Sequence, residues 1–276
     1  MERFLIVTDI DGTLIPPTQK VSTLTKTVLT RLRDEGHEVY IASGRMLALA
    51  KVIADQVDDE MGIIGSNGAV IAENNKVQVT HLGATAVTTA RQVAEEFGLS
   101  FRLFTQTATY HNVTDENVLA HMNKLRQKTT SPMVFLADGE MVPGLNETVT
   151  NGLLVDDHND GRLTKARAAL ASAANMALSS SSPNNIELIP KGISKATGLA
   201  IVQNQVGIAT DRTIVFGNGH NDVPLFKKAA ISVAMADAPA EVRTAANHVT
   251  VPAEQDGVAH FLMDYFKLTD LSGGNQ

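Results

Sequence analysis

Asp9 and Asp11 stand two residues apart, directly after the apolar run Phe4 to Val7, and Gly12 and Thr13 follow them. A strand continued through this point puts both carboxylates on one face, whereas Gly12 marks a turn. Two carboxylates at a strand end have three uses. One can attack phosphorus, one can give and take protons, and both can offer hard oxygens to Mg²⁺. Asp-Gly is equally a common solvated turn, and these residues alone do not separate the two readings.

Three further polar clusters follow short apolar runs in the same way. Ser43-Gly44-Arg45 follows Val39 to Ala42, and Ser66-Asn67-Gly68 follows Gly62 to Gly65. Gly217-Asn218-Gly219-His220-Asn221-Asp222 follows Thr213 to Phe216. Each run is short and continuous, as in strands buried on both faces of a parallel sheet. Between the first two runs, Ser22 is placed to cap a helix, Leu24, Val28 and Leu32 recur at four-residue spacing, and Gly36 ends the segment. A second helix is expected over Leu47 to Val57. Strand, helix, strand, helix, strand predicts right-handed crossovers and an α/β, doubly wound parallel sheet. Ligands of such sheets bind beyond the carboxyl ends of the strands, where Asp9, Ser43 and Asn67 fall.

The pattern changes after a hairpin expected at Val70 to Thr80, turning at Asn74-Asn75. A helix near 85–98 precedes strands at Phe101 to Phe104 and Thr109 to Val113. A helix near 115–128, strands at Met133 to Leu136 and Leu153 to Val155, and an alanine-rich helix at 162–175 come next. Ala177 to Ser181 and Ile186 to Ile189 close the segment as a strand pair, with the serine run at 179–182 readable as its turn or as a linker. This order predicts an α+β unit over 83–188, inserted into a core made of 1–82 and 189–276. The core resumes with a helix near 194–206 and strands at 213–216, 231–234 and 248–251. A closing helix near 258–267 and a frayed tail after Leu271 complete it.

Composition narrows the partners. The 276 residues are 43% hydrophobic and 19% charged, an ordinary globular balance, and carry a net charge of −7. An acidic chain is repelled by nucleic acid and by anionic membranes, so a phosphate site has to be built locally from backbone N–H groups and a few cations. With no cysteine there is no disulfide, zinc-thiolate site or thiol nucleophile. The amino-terminal apolar stretch is too short for a signal peptide, and no run approaches the ~18–20 apolar residues of a membrane span. The expected location is the cytoplasm, and the oligomeric expectation is monomer or homodimer.

Together the clusters resemble a known family. Asp9-Ile10-Asp11-Gly12-Thr13-Leu14 is similar to the first motif of the haloacid dehalogenase superfamily of phosphohydrolases. Ile41-Ala42-Ser43-Gly44-Arg45 resembles the second motif in the form used by the Cof-type branch, and Asn67-Gly68-Ala69 resembles that branch's Asn-Gly-Ala. Leu188 to Lys195 resembles the third motif, with Lys195 at the lysine position. Gly217 to Asp222 resembles the fourth, and Val233-Ala234-Met235 and Asp256 to Ala259 resemble carboxyl-terminal signatures. The resemblance spans nearly the whole chain outside the insert, which itself resembles a type-2 cap.

The resemblance implies an Mg²⁺-dependent phosphatase acting on a small phosphorylated metabolite through an aspartyl phosphate, on a Rossmann-like core with a cap. It makes Asp9 the nucleophile and a metal ligand, and Asp11 the acid and base, with its carbonyl on the metal. Lys195 would neutralise charge, and Gly12, Thr13, Ser43, Gly44, Arg45, Asn67 and Asn221 would bind phosphate or substrate. The fourth motif departs from the family at its first ligand position, where a carboxylate is usual and this chain has Asn218. An amide oxygen can bind Mg²⁺ but brings no negative charge, so Asp222 is expected to compensate, directly or through water. A phosphotransferase or phosphomutase on the same fold, and a non-catalytic phosphometabolite-binding module, are the alternative functions.

Other polar residues have plainer readings. Arg45 either touches phosphate or substrate or pairs with a core carboxylate, and Asn67 either reads substrate or caps its turn. Lys191 reads as a solvated loop lysine and His220 as a rim or turn residue. Tyr110, His111 and Asn112 are read as structural, and Asp156-Asp157-His158 as a polar loop.

Overall fold

The computed structural model describes residues 2–16, 20–74, 76–125, 129–158, 160–172 and 175–269. Asn75, Asn159, the expected helix ends at 126–128 and 173–174, and the tail from 270 lie outside them. The first elements are β1 (Leu5–Thr8), α1 (Thr23–Asp34), β2 (Glu38–Ala42), α2 (Leu47–Val57), β3 (Gly62–Gly65), β4 (Val70–Glu73) and β5 (Lys76–Val79). Then come α3 (Ala84–Phe97), β6 (Ser100–Phe104), β7 (Thr109–His111), α4 (Glu116–Leu125) and β8 (Met133–Phe135). They lead to α5 (Leu145–Thr148), β9 (Asn151–Val155), α6 (Arg162–Ser172), β10 (Met176–Ser179) and β11 (Asn185–Pro190). The chain ends through α7 (Lys195–Val206), β12 (Thr213–Gly217), α8 (Val223–Phe226), β13 (Ile231–Met235), α9 (Ala240–Ala245), β14 (His248–Thr250) and α10 (Gly257–Phe266).

The strands form two sheets. One has eight strands in the order β14-β13-β12-β1-β2-β3-β4-β5, parallel from β14 to β3 and closed by the antiparallel hairpin β4–β5. The other has six strands in the order β10-β11-β9-β6-β7-β8. Its last strand in sequence, β11, runs to Pro190, two residues past the expected end of the insert at 188.

Burial follows the sequence pattern. In β1, Ile6 joins an apolar cluster with Val28, Leu29 and Leu32 of α1 and Leu262 of α10. Its neighbours Leu5 and Val7 join the opposite cluster with Leu199 and Val202 of α7. Both faces of the central strand are therefore covered, which is why its sequence is continuously apolar. Ser22 caps α1 by accepting from Thr25 N at 3.0 Å, and Gly36 follows the helix at φ +92°. The six-stranded sheet is different. Phe101, Leu103, Leu154, Ile186 and Leu188 face α3 and α6 in a separate cluster, while Arg102, Phe104, Leu153 and Glu187 alternate to the other face, which lines a cavity.

Candidate active site

The residues expected to do chemistry meet at one edge of the parallel sheet. Asp9 follows β1, Ser43 follows β2, Asn67 follows β3 and Asn218 follows β12, all at carboxyl ends. β1 lies between β12 and β2, so Asp9 sits where successive strands run off in opposite directions and the connections leave a crevice. Asp9, Asp11, Ser43, Gly44, Arg45, Asn67, Asn218 and Asn221 line one cavity of about 1030 Å³.

Lys195 is the electrostatic centre. It opens α7, whose amino terminus is capped by Ser194 and Thr197 in a reciprocal box. A cation at a helix amino terminus is disfavoured by the helix dipole, and two carboxylates offset that. Lys195 Nζ donates to Asp9 Oδ1 and to Asp222 Oδ1, each at 2.7 Å. All three side chains are buried. One ammonium thus serves two carboxylates. Burial pushes the Asp9 carboxyl up to about 7, against the pull of Lys195 and with the charges of Asp222 and Asp11 adding to the rise. Lys195 is itself driven upward by Asp222 and Asp9, which outweigh its own burial, and stays protonated.

Asp222 does not line the cavity. Its second oxygen accepts from Asn218 N at 3.0 Å and Gly219 N at 2.9 Å. With Oδ1 on Lys195 and Oδ2 on two backbone donors, the carboxylate is engaged at both ends inside the protein. The expectation that Asp222 compensates for Asn218 at the metal, directly or through water, has to be met with both oxygens already in hydrogen bonds. Its geometry is that of a positioning residue for Lys195 and for the loop after β12.

Gly12 and Thr13 follow Asp11 in the turn after β1. Neither lines the cavity. Their N–H groups donate to Ile15 O at 3.0 Å and Ile10 O at 3.3 Å, which closes the turn, and the Thr13 hydroxyl donates to Asn218 Oδ1 at 3.2 Å. Gly12 sits at φ +76°, and a Cβ there would lie 2.3 Å from Asn218 Nδ2. Only glycine lets the loops after β1 and β12 come this close. Through these contacts the two residues shape the site.

Arg45 pairs with Asp11. Its Nε donates to Asp11 Oδ2 at 2.8 Å and its Nη2 to Asp11 Oδ1, a two-pronged contact. Arg45 is thus held by a carboxylate that is itself half-exposed in the cavity, not by one in the core. Ser43 accepts from Arg45 N at 3.2 Å through its hydroxyl, so the loop after β2 is folded around the positions expected to hold a phosphate.

Residues of the six-stranded sheet complete the site, and sequence reasoning missed them. Glu187 Oε2 accepts from Asn67 Nδ2 at 3.0 Å. Asn151 Nδ2 donates to Gly44 O at 3.0 Å, and the hydroxyls of Thr150 and Ser66 lie 3.2 Å apart. Asn67 stands at φ 55°, ψ 32°, with its Oδ1 buried and unpartnered. Gly68 lies against α7, where a Cβ would meet Ser194 O at 2.2 Å. One signal was available: Glu187 is a lone carboxylate in the apolar run Ile186 to Ile189, a position that ordinarily needs a buried partner. Asn151 and Thr150 carry no such signal.

The plainer readings hold. Asn112 accepts from Phe101 N at 2.7 Å, Tyr110 packs on the apolar cluster of the six-stranded sheet, and His111 is buried. Asp156 accepts from the N–H groups of His158 and Asp160 in a loop, Lys191 is exposed, and His220 is an exposed residue at the cavity rim.

The donor set suits a hard divalent cation. Asp9, Asp11 and Asn218 offer oxygens around a carboxyl that burial leaves short of compensating charge. Mg²⁺ takes a few protein oxygens and keeps water in its remaining positions. Among the described residues no three or more histidine, cysteine, aspartate or glutamate side chains are grouped to hold a metal ion, so any such site here depends on the Asn218 amide and on backbone oxygen.

Fold and site together define a phosphohydrolase. The family model of haloacid dehalogenase-like hydrolases matches residues 6–262, and the chain belongs to that family. It is a Cof-type member and a phosphatase. It is 29% identical over 276 residues to the 5-amino-6-(5-phospho-D-ribitylamino)uracil phosphatase YitU of Bacillus subtilis, covering 96% of this chain and 98% of that one. A haloacid dehalogenase-like hydrolase from Bacteroides thetaiotaomicron superposes with a TM-score of 0.83 at 24% identity, over 96% of this chain and 100% of that one. A subclass IIB sugar phosphatase of the same superfamily superposes with a TM-score of 0.83 at 22% identity, over 96% and 99% of the two chains. No helix among the described residues is long and apolar enough to cross a membrane.

Proposed function

We propose that this phosphatase hydrolyses small phosphomonoesters, sugar phosphates and related metabolites, with Mg²⁺ as cofactor and Asp9 as nucleophile. The observation that carries the reading is the placement of Asp9 at the carboxyl end of β1, in the wall of the cavity, with one oxygen held by Lys195. That contact fixes Oδ1 and orients the carboxylate for attack by its other oxygen. Lys195 also lowers the cost of bringing an anionic phosphate to an anionic nucleophile.

Asp9 displaces the alcohol and becomes an aspartyl phosphate, and Asp11 protonates the departing oxygen. Asp11 then removes a proton from water, the water attacks phosphorus, and Asp9 is released with inorganic phosphate. Before substrate enters, Asp11 is paired with Arg45. A phosphate entering beside Ser43 and Gly44 competes for Arg45, and Asp11, once freed, takes a proton from solvent or from the monoanionic substrate and carries it to the leaving group. Asp9, the Asp11 carbonyl and Asn218 would hold Mg²⁺, which when bound supplies positive charge to the phosphoryl oxygens. The six-stranded unit acts as a cap over the cavity, excludes water and meets the leaving group. The family's sugar phosphatase and its ribitylaminouracil phosphatase both act on phosphorylated polyhydroxyl compounds, which supports this substrate class.

A panel of sugar phosphates with Mg²⁺ tests the proposal. Release of inorganic phosphate is expected. Isomerisation of the substrate without phosphate release would mean phosphoryl transfer between hydroxyls, and thermal stabilisation without any reaction would mean a binding module.

A further inference from the structure

The cavity has two chemically distinct ends. Its roof is the open face of the six-stranded sheet, where Glu187, Leu153, Arg102 and His111 stand in register on four neighbouring strands. Glu187 touches Asn67 beside the phosphate loop and marks the inner end. Arg102 is two strands further out, roughly 10 Å away at about 4.8 Å per strand.

Arg102 is only partly paired: among the described residues its ion pair is with Asp157. Its side chain is 17% exposed, and its Nε is buried with no hydrogen bond. The carboxylate it approaches, Asp157, lies 3.8 Å from Nη2, beyond hydrogen-bond reach. On its other side stands His111, whose pKa is lowered by burial and further by the charge of Arg102. A guanidinium carries five N–H donors, and buried donors are almost always satisfied. Burial works against the charge of Arg102, with Asp157 offsetting only part of that effect.

A second cation stands on the other side of Glu187 from Arg102. Arg167 lines the cavity from α6, with Nη2 donating to Ser179 O at 3.1 Å and to the Ser180 hydroxyl. Among the described residues, Glu187 is the single carboxylate that the cap contributes to this wall, and it is engaged by Asn67. The chain as a whole has a net charge of −7, so this cationic roof is a local construction.

We infer that the outer end of the cavity is a second anion subsite centred on Arg102, and that the substrate carries a carboxylate or a second phosphate at the end opposite the scissile phosphate. The guanidinium would take two anionic oxygens side by side. The inference deepens the phosphatase reading and rests on the scissile phosphate lying at Asp9.

Three linear six-carbon probes test it: glucitol 6-phosphate, 6-phosphogluconate and glucitol 1,6-bisphosphate. They share a phosphate end and differ in having a neutral, carboxylate or phosphate group at the other. Calorimetric Kd values without Mg²⁺ should be about 10–100-fold lower for at least one of the doubly anionic probes than for glucitol 6-phosphate, the worth of a charged hydrogen bond. Which of the two gains more identifies the second anion. Arg102→Met should bring the ratio close to one, and Arg102→Lys, which keeps charge without the fork, should give an intermediate ratio. Equal binding of all three probes by the wild type, or a preference that survives Arg102→Met, would overturn the subsite. If Arg102→Met does not fold, the wild-type ratio and Arg102→Lys decide. Hydrolysis of nitrophenyl phosphate by the same preparation reports separately on the phosphatase reading, so the two claims fail independently.

Discussion

Lys195 donates to Asp222 at 2.7 Å in a place that neither solvent nor the cavity reaches. Asp222 therefore acts on the reaction through Lys195, by holding the ammonium against Asp9. Breaking a buried ion pair from one side leaves a charge without compensation, at a cost of about 3–5 kcal/mol. Asp222→Asn should lose about that much stability in urea denaturation, and turnover should fall with it. A variant as stable as the wild type would show that Lys195 needs no second carboxylate.

Asn218 occupies the loop position beside Asp9 and takes a hydrogen bond from Thr13. A carboxylate at this position would add one negative charge to the oxygens available to Mg²⁺. Asn218→Asp should tighten Mg²⁺ binding, as read by calorimetry on the purified protein. Unchanged affinity would mean that residue 218 does not touch the metal.

Asp11 should behave as an acid and base that Arg45 stores. Asp11→Asn should slow hydrolysis of sugar phosphates by about 10²–10⁴-fold. The loss should be smaller on nitrophenyl phosphate, whose leaving group needs little protonation. Equal losses on both substrates would remove Asp11 from the proton-transfer role.

Much of this site is local in sequence, and that is why it was legible. Asp9, Ser43, Asn67 and Asn218 each follow a short apolar strand, and parallel topology forces such positions to one edge. The helix cap at Ser22 and the two-sided burial of β1 follow from the same patterns. What was not legible depends on side-chain partners distant in sequence. Spacing does not show that Lys195 and the backbone of Asn218 and Gly219 take both oxygens of Asp222. Nor does it show the Thr13 hydroxyl on Asn218. Glu187 and Asn151 reach the site only because the six-stranded sheet folds over it, and no spacing rule connects residue 67 with 187.

Two buried histidines predict a pH dependence of stability. His37 Nδ1 accepts from Phe4 N at 3.0 Å and His111 Nδ1 accepts from Val113 N at 3.2 Å, so both rings serve as unprotonated acceptors. Burial lowers both pKa values below the ordinary 6.5. The folded state then binds fewer protons than the unfolded state below that pH, and stability is lost as pH falls through about 6.5. Asp9 acts oppositely, because its raised pKa makes stability fall as pH rises from 3.8 to about 7. Comparing wild type with a His37→Asn, His111→Asn variant isolates the histidines, since the amide oxygen keeps the acceptor and does not titrate. Between pH 7 and 5 the variant should lose less stability in urea denaturation than the wild type. Parallel curves would show that neither ring resists protonation.

The central claim is that phosphate passes through Asp9. The most direct measurement is a rapid acid quench during turnover of nitrophenyl phosphate with Mg²⁺, followed by peptide mass analysis. The peptide bearing Asp9 should gain one phosphoryl group within the first turnover and lose it as substrate is exhausted, and Asp9→Asn should show neither the adduct nor turnover. Sustained turnover with Asp9 never phosphorylated, or an active Asp9→Asn variant, would contradict the account.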